Sequence, residues 1–302
     1  MSASAAAPVA EQTPDRLALA AFVGAVVIGG SNFVGVRISN RELDPLWGAG
    51  LRFGLAAVVF AALVAALRLP LPRGRALAPS VVYGLLGFAG TYGCLYWALQ
   101  DVPAGIGAVV MAIGPLLTLL LAVGHGLERL TVRALAGALV ALAGTTLIFF
   151  QSGTDAYRWE SYALLLLAVL FASEAVIVSK RIGPQHPVVT NFVGMTAGAA
   201  VLLLVAALAG ETFALPAEGE TQLAVLYLGA ATVGLFLLVL YVVQRWAASA
   251  TAYVFVLMPI VALAVGALIA DEEITAVTIL GGAIVCAGVY LGALSRSGRS
   301  RG

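Results

Sequence analysis

The sequence predicts an all-α integral membrane protein: ten transmembrane helices in two inverted five-helix repeats. Three observations carry this. Of 302 residues, 62% are hydrophobic and only 10% charged, against roughly 25% charged in soluble domains. The chain is also written twice, since Glu128-Arg129-Leu130-Thr131 recurs as Glu272-Glu273-Ile274-Thr275 at an offset of 144 residues. The same offset superposes Pro115 on Pro259, Gly137 on Gly281 and Gly144 on Gly288, and residues 104–147 share 11 identities in 44 positions with 248–291. Internal repeats of apolar segments are a signature of transport proteins. The third observation is the distribution of arginine and lysine, which alternates between the loops of a ten-span chain.

Apolar runs of about 20 residues suffice to cross a bilayer. In order they are 17–37, 46–67, 79–99, 103–124, 132–150, 160–181, 188–209, 222–244, 249–270 and 275–294. The runs at 79–124 and 222–270 are each interrupted only by a turn, so hydropathy alone leaves eight or nine spans open. Charge decides. Basic residues in short loops collect on the cytoplasmic side, and with the N-terminus inside, twelve of the sixteen basic residues fall there. Arg37, Arg41 and Arg158 fall outside and Arg52 lies within a span. Merging any two spans destroys this alternation. Five spans per half is an odd number, so the second copy enters the membrane inverted, with a site expected near the midplane between the halves.

The expected organisation is a disordered cytoplasmic stretch at 1–16, repeats at 17–150 and 160–294, and a basic cytoplasmic tail at 295–302. Met1 to Thr13 lacks the basic n-region of a cleaved signal peptide. Loops of a dozen residues at most leave no room for a soluble domain. With no Walker A sequence, and with Lys180 as the only lysine, an ATP-driven pump in one chain is excluded. Cys94 and Cys286 have neither metal nor redox spacing, so a disulfide between them is not expected. Clustered Asp, or a His-Glu-x-x-His group, as an intramembrane lipid enzyme requires, is absent from the sequence. A passive channel or a non-transporting scaffold stays open beside a carrier. No cofactor and no metal site is expected. Expected partners are a small-molecule substrate and the lipid bilayer, with a homodimer left open and no nucleic acid.

Gly30-Ser31-Asn32-Phe33-Val34, Pro45 followed by Leu51-Arg52-Phe53, Ala98-Leu99, Pro115, and Glu128-x-x-Thr131 with Gly137 and Gly144 together resemble the drug/metabolite transporter superfamily, in its EamA-type branch. Pro259, Glu272, Gly281 and Gly288 extend the resemblance over nearly the whole chain. It implies an inner-membrane carrier of small metabolites built from two five-helix repeats, with export of an amino acid or related compound favoured. Ile28-Gly29 departs from the pattern, since many members carry a tryptophan before the Gly-Ser.

Among individual residues Glu174 is singled out. It lies about 9 Å from the Lys180-Arg181 end of its span, and such a charge costs on the order of 3 kcal/mol inside a bilayer. It is expected either to bind a substrate amine or the coupling proton, or to pair structurally with a neighbour. Aligning Ser31 with Ser173 makes Asn32 its counterpart. Arg52, two turns into the second span, either meets a substrate carboxylate or snorkels to the headgroups. Tyr92, Tyr96 and Gln100 form one stripe of the third span, aligned with Phe236, Leu240 and Gln244, and read as a cavity wall or, for Tyr96 and Trp97, an interfacial belt. Asn191 and Tyr253 add polar groups. Pro115 and Pro259 are expected to kink their helices symmetrically, as hinges or static bends. Glu128 with Thr131, and Glu272 with Thr275, are expected to cap the helices that follow. His125 and His186, at span ends without partner ligands, are expected at interfaces. The glycines of the fifth and tenth spans predict packing helices outside the cavity.

Overall fold

The computed structural model describes residues 16–126, 131–151, 158–179, 182–243 and 248–291, of which 134, 148–151, 240, 243 and 248–253 by backbone alone. Among them are ten apolar helices and no strand. The first five are α1 (Arg16–Ser39), α2 (Pro45–Ala66), α3 (Gly74–Ala98), α4 (Ala104–Gly124) and α5 (Val132–Gln151). The second five are α6 (Trp159–Ser179), α7 (Pro187–Ala209), α8 (Gly219–Val243), α9 (Ala248–Ile269) and α10 (Ala276–Val289). Seven are long and apolar enough to span within the described residues, and the apolar stretches of α5, α9 and α10 are shorter there.

The packing is twofold. α1 lies against α8 and α9, and α6 lies against α3 and α4; α2 pairs with α7, α4 with α9, and α5 with α10. Shifting every label by five maps this set onto itself, as two inverted repeats require. Lipid-facing side chains are apolar, for example Val58, Leu208 and Leu268, so burial of apolar area gives little net drive and close contact must hold the helices. Small residues supply it. A Cβ on Gly144 would stand 2.7 Å from the carbonyl oxygen of Gly281, and one on Gly288 would stand 2.7 Å from that of Gly137. The glycines of α5 and α10 therefore face each other. Gly144→Val is expected to cost about 1–3 kcal/mol by overpacking, read as a lower melting temperature of the detergent-purified protein.

The two prolines behave differently. α4 breaks at Ala112 and Ile113, with Pro115 in the first turn of its second segment, whereas α9 runs unbroken through Pro259. The two symmetry-related prolines therefore sit in different local structure, beside a break in α4 and within a continuous α9. In α4, Gly114 precedes the proline, and its carbonyl accepts from the Ser173 hydroxyl at 3.3 Å. In α9 the equivalent position is Met258, whose side chain fills the space over Gly29 and whose carbonyl lies 2.7 Å from where a Cβ on Gly30 would be. That packing explains the Ile28-Gly29 departure sterically: the volume is already occupied. α3 has its own irregularity, a π-helical stretch at Leu85–Gly90 closed by the Thr91 hydroxyl donating to the Leu86 carbonyl at 2.8 Å. Such stretches occur often at functional sites.

Candidate functional site

α2 delivers Arg52 into the centre of the bundle. Its side chain is 1% exposed, so the snorkelling alternative is overturned: the guanidinium points inward, held by α8. Arg52 Nε donates to Thr232 Oγ1 at 2.6 Å, and that hydroxyl donates in turn to the Leu228 carbonyl at 2.7 Å. The guanidinium carbon sits 4.9 Å from the Tyr92 ring centroid and 5.2 Å from that of Phe53. Nη1 and Nη2 have no hydrogen-bond partner. The fully buried Tyr96 hydroxyl lies beside the guanidinium, close enough to interact with its charge and its N–H groups but short of full hydrogen-bond geometry. Burying a cation costs several kcal/mol after relaxation. Two ring faces return about 0.5–2 kcal/mol each and the Thr232 hydrogen bond about 1.5–3 kcal/mol, while Nη1 and Nη2 stand without partners.

The surroundings are aromatic. Phe53 touches Phe88 at 5.2 Å and Tyr92 at 4.7 Å, and Phe88 touches Tyr83 at 5.4 Å and Phe236 at 5.5 Å. Phe88 belongs to the π-helical stretch of α3 and Phe236 to α8, so the cluster closes across the two repeats. Asn32 is 6% exposed with an unpartnered Oδ1. Because α1 and α8 run antiparallel, with Gly35 against Leu228 and Ile28 against Gly234, Asn32 shares the depth of Thr232.

Glu174 lies elsewhere. Its Oε1 is 3.0 Å from His125 Nε2 at the end of α4, with side-chain exposures of 27% and 35%. His186 Nδ1 accepts from Val188 N at 3.3 Å and caps α7. Asn191 is buried on α7, and its Oδ1 accepts from the Tyr83 hydroxyl at 3.5 Å.

The end of the bundle that carries the α1–α2, α3–α4, α7–α8 and α9–α10 connections is tied by carboxylates acting between repeats. Glu211 accepts from Leu46 N at 3.2 Å and Trp47 N at 2.7 Å at the start of α2, and Glu42 accepts from Ala217 N at 2.7 Å ahead of α8. Glu272 accepts from Ala104 N at 2.8 Å and Gly105 N at 3.4 Å at the start of α4. It also pairs with Arg37 Nε at 3.2 Å, while Arg37 Nη1 donates to the Leu99 and Val102 carbonyls at 3.3 and 3.0 Å. Helix N-termini attract carboxylates through their free N–H groups and dipoles. The expectation for Glu272 is thereby corrected: Thr275 caps α10 by accepting from Thr278 N at 3.1 Å, and the glutamate caps α4 of the other repeat.

Asp44 accepts from the Thr212 hydroxyl at 2.6 Å and the Thr212 N–H at 2.7 Å, which together hold its carboxyl below the usual value. Its contribution to stability is therefore fully present above about pH 4 and is lost as pH falls through the lowered folded value. The melting-temperature difference between wild type and Asp44→Asn should be constant from neutral pH to about 4 and shrink below it. A difference that does not move with pH would refute the pairing.

The structure brings Arg52, Tyr92 and Tyr96 together, sets Asn32 at their depth, joins Asn191 to the aromatic cluster through Tyr83, and leaves Glu174 apart. Tyr96 is wholly buried, which removes it from the interfacial belt, while Trp97 is 44% exposed. Thr131 directly precedes α5. Glu128 lies outside the described residues, as does the side chain of Tyr253. Cys94 and Cys286 are free thiols. Sequence reasoning does not find Thr232, Phe88 or His125 as site residues. Phe88 and Thr232 carry a signal, since they are repeat counterparts one turn before Tyr92 and Phe236 on the same stripe.

Ten apolar helices in two inverted repeats, with an unpaired charge buried where the repeats meet, define a membrane transporter. The chain belongs to the EamA-like transporter family, whose model matches twice, over residues 16–150 and 159–293. It is 28% identical over 275 residues to the probable terminal-alkyne amino-acid exporter of Streptantibioticus cattleyicolor, covering 90% of this chain and 91% of that one. It is 28% identical to the probable amino-acid metabolite efflux pump of Escherichia coli strain K12, with 88% and 91% covered. It is also 28% identical to the uncharacterized inner membrane transporter YedA of the same strain, with 89% and 88% covered. A solved crystal structure shares the fold at a TM-score of 0.67 and 20% identity, covering 93% of this chain and 99% of that one.

Proposed function

We propose that this chain is a secondary transporter that exports an amino acid or a related small metabolite across the bacterial inner membrane by alternating access. The observation that carries the reading is Arg52, a fully buried guanidinium with two free donors at the junction of the repeats. Buried intramembrane charges mark transport pathways far more often than they serve stability. The relatives named as exporters of amino acids or their metabolites support the substrate range and the direction. The basic residues support an orientation with both termini cytoplasmic, which puts the carboxylate-tied end outside. In that frame the caps from Glu42, Glu211 and Glu272 close the outer face, and the rocking of the repeats that opens it must release them.

Two measurements test this together. Extracellular metabolite profiling of overexpressing cells should reveal one enriched amino acid or derivative. The purified chain in proteoliposomes should then show counterflow of that compound, with uptake stimulated by preloading. Enrichment without counterflow, or flux equal to that of empty vesicles, would return the chain to a channel or scaffold role.

A further inference from the structure

We propose that Arg52 is a carboxylate-recognition residue, so that the substrate is an organic carboxylate on an apolar or aromatic body, with or without an α-amino group, and not a simple amine or other cation. This rests on the transport reading for its physiological meaning and on the geometry of the site for its chemistry.

The guanidinium is presented as a fork. Thr232 takes Nε at 2.6 Å and the Tyr92 and Phe53 rings fix the plane from 4.9 and 5.2 Å, which leaves Nη1 and Nη2 free and pre-oriented. Two parallel N–H donors on a rigid plane match the two oxygens of a carboxylate, and such bidentate pairs are among the strongest hydrogen bonds proteins make. Nothing within the described residues competes. Arg52 has no ion-pair partner there, and the pairs that are present engage Glu272, Glu220, Glu174 and Glu160 with other partners. A cation entering this site would meet an unscreened like charge. A carboxylate entering it would satisfy two orphaned donors at once, and an uncharged isostere would leave them unpaired, which is the situation in which a binding site discriminates most sharply.

The aromatic side chains packed around the guanidinium suit the remainder of such a molecule. Phe53, Phe88, Tyr92 and Phe236 offer ring surfaces, which suit an aromatic or branched aliphatic body. The unpartnered Tyr96 hydroxyl beside the guanidinium supplies an acceptor for an α-ammonium group. The asymmetry of the repeats agrees with a single carboxylate. In the alignment that places Ser31 on Ser173 the counterpart of Arg52 is Gly194, which packs against Phe88 and Tyr83 and carries no side-chain donor.

The test uses the full chain in detergent or nanodiscs and two matched probe pairs, phenylacetate with phenylacetamide and L-phenylalanine with L-phenylalaninamide. At least one carboxylate should raise the melting temperature saturably while its amide does not, with a difference in apparent Kd of about 100-fold or more. Arg52→Lys keeps the charge and loses the fork, and should weaken carboxylate binding about tenfold. Arg52→Met should abolish the carboxylate shift. It should also melt at or above the wild-type temperature without ligand, because it replaces a buried unpaired cation with an apolar side chain of similar reach. Should Arg52→Met fail to fold, the probe pairs on the wild type and on Arg52→Lys still decide. Equal shifts by acid and amide in both pairs, or an undiminished acid shift in the variants, would overturn the assignment. Counterflow of a cationic solute that persists in Arg52→Met would overturn it while keeping the transporter. Carboxylate-specific stabilisation with no counterflow would keep the site and discard transport.

Discussion

Replacing Glu272 with alanine is expected to destabilise the protein by about 1.5–3 kcal/mol, the worth of hydrogen bonds to a charged group, because its ion-pair partner Arg37 is 30% exposed and keeps access to solvent. The side chain is 8% exposed and its two oxygens serve three donors: the Ala104 and Gly105 N–H groups and Arg37 Nε. Without it, two helix N-terminal amides lose their acceptor, and Arg37 retains only the Leu99 and Val102 carbonyls at 3.3 and 3.0 Å. The side chain is aimed by its own turn. Asp271 adopts a left-handed φ of 52°, Glu272 N returns to the Gly266 carbonyl at 3.1 Å, and Gly266 leaves the carboxylate room, since a Cβ there would lie 2.6 Å from Glu272 Oε2. Glu272→Gln, which keeps an acceptor but not the charge, should fall between. A double-mutant cycle with Arg37→Met, read by denaturant or thermal unfolding, isolates the ionic part. A loss for Glu272→Ala under about 0.5 kcal/mol, the range of ordinary surface substitutions, would show that the connections at this end hold without it.

The division between what the sequence discloses and what it withholds follows from how each feature is encoded. Ten spans, their boundaries to within a few residues for most, and the two-repeat architecture are written in local hydropathy and in a constant offset, so they can be read from the chain alone. Arg52 and Tyr92 are legible as candidates because an ionisable group or a polar stripe within an apolar run is conspicuous. Which way Arg52 points is not, because its stem is long enough to reach either water or the core. The deciding partner, Thr232, comes from α8, 180 residues away. Glu272 shows the same limit more sharply. Its sequence context, a glutamate three residues before a threonine, fits a local cap, yet the N–H groups it serves are 168 and 167 residues distant. Pro115 and Pro259 are identical in sequence register and differ in outcome, because Gly114 and Met258 precede them. A repeat alignment weighs the shared residue, whereas the backbone responds to its neighbours.

With Glu174 as carrier of the coupling proton, Glu174→Gln should bring proton-driven substrate accumulation in proteoliposomes down to an equilibrium ratio of unity while leaving substrate exchange measurable. The carboxylate is partly buried toward the end of α6, and among the described residues the His125 ring, 3.0 Å away at the end of α4, is its one hydrogen-bond partner. Intramembrane carboxylate–imidazole pairs of this kind serve as proton relays. Its position adds to the argument. α4 is the helix broken at Ala112–Ile113, and the Ser173 hydroxyl, next to Glu174, donates to the Gly114 carbonyl just past that break. Loading or unloading a proton at Glu174 therefore acts beside a polar contact that joins α6 to the second segment of α4. Glutamine keeps the shape and the hydrogen bond to His125 and removes the charge, so exchange of substrate for substrate, which needs no net proton movement, should survive. His125→Gln should likewise uncouple, since it retains a hydrogen-bonding group but takes up no proton near neutrality. A merely structural pair gives a different pattern: both variants would lower the melting temperature and reduce exchange and accumulation in parallel, with no change in their ratio. Normal proton-driven accumulation by Glu174→Gln at every pH would remove this residue from the coupling mechanism altogether.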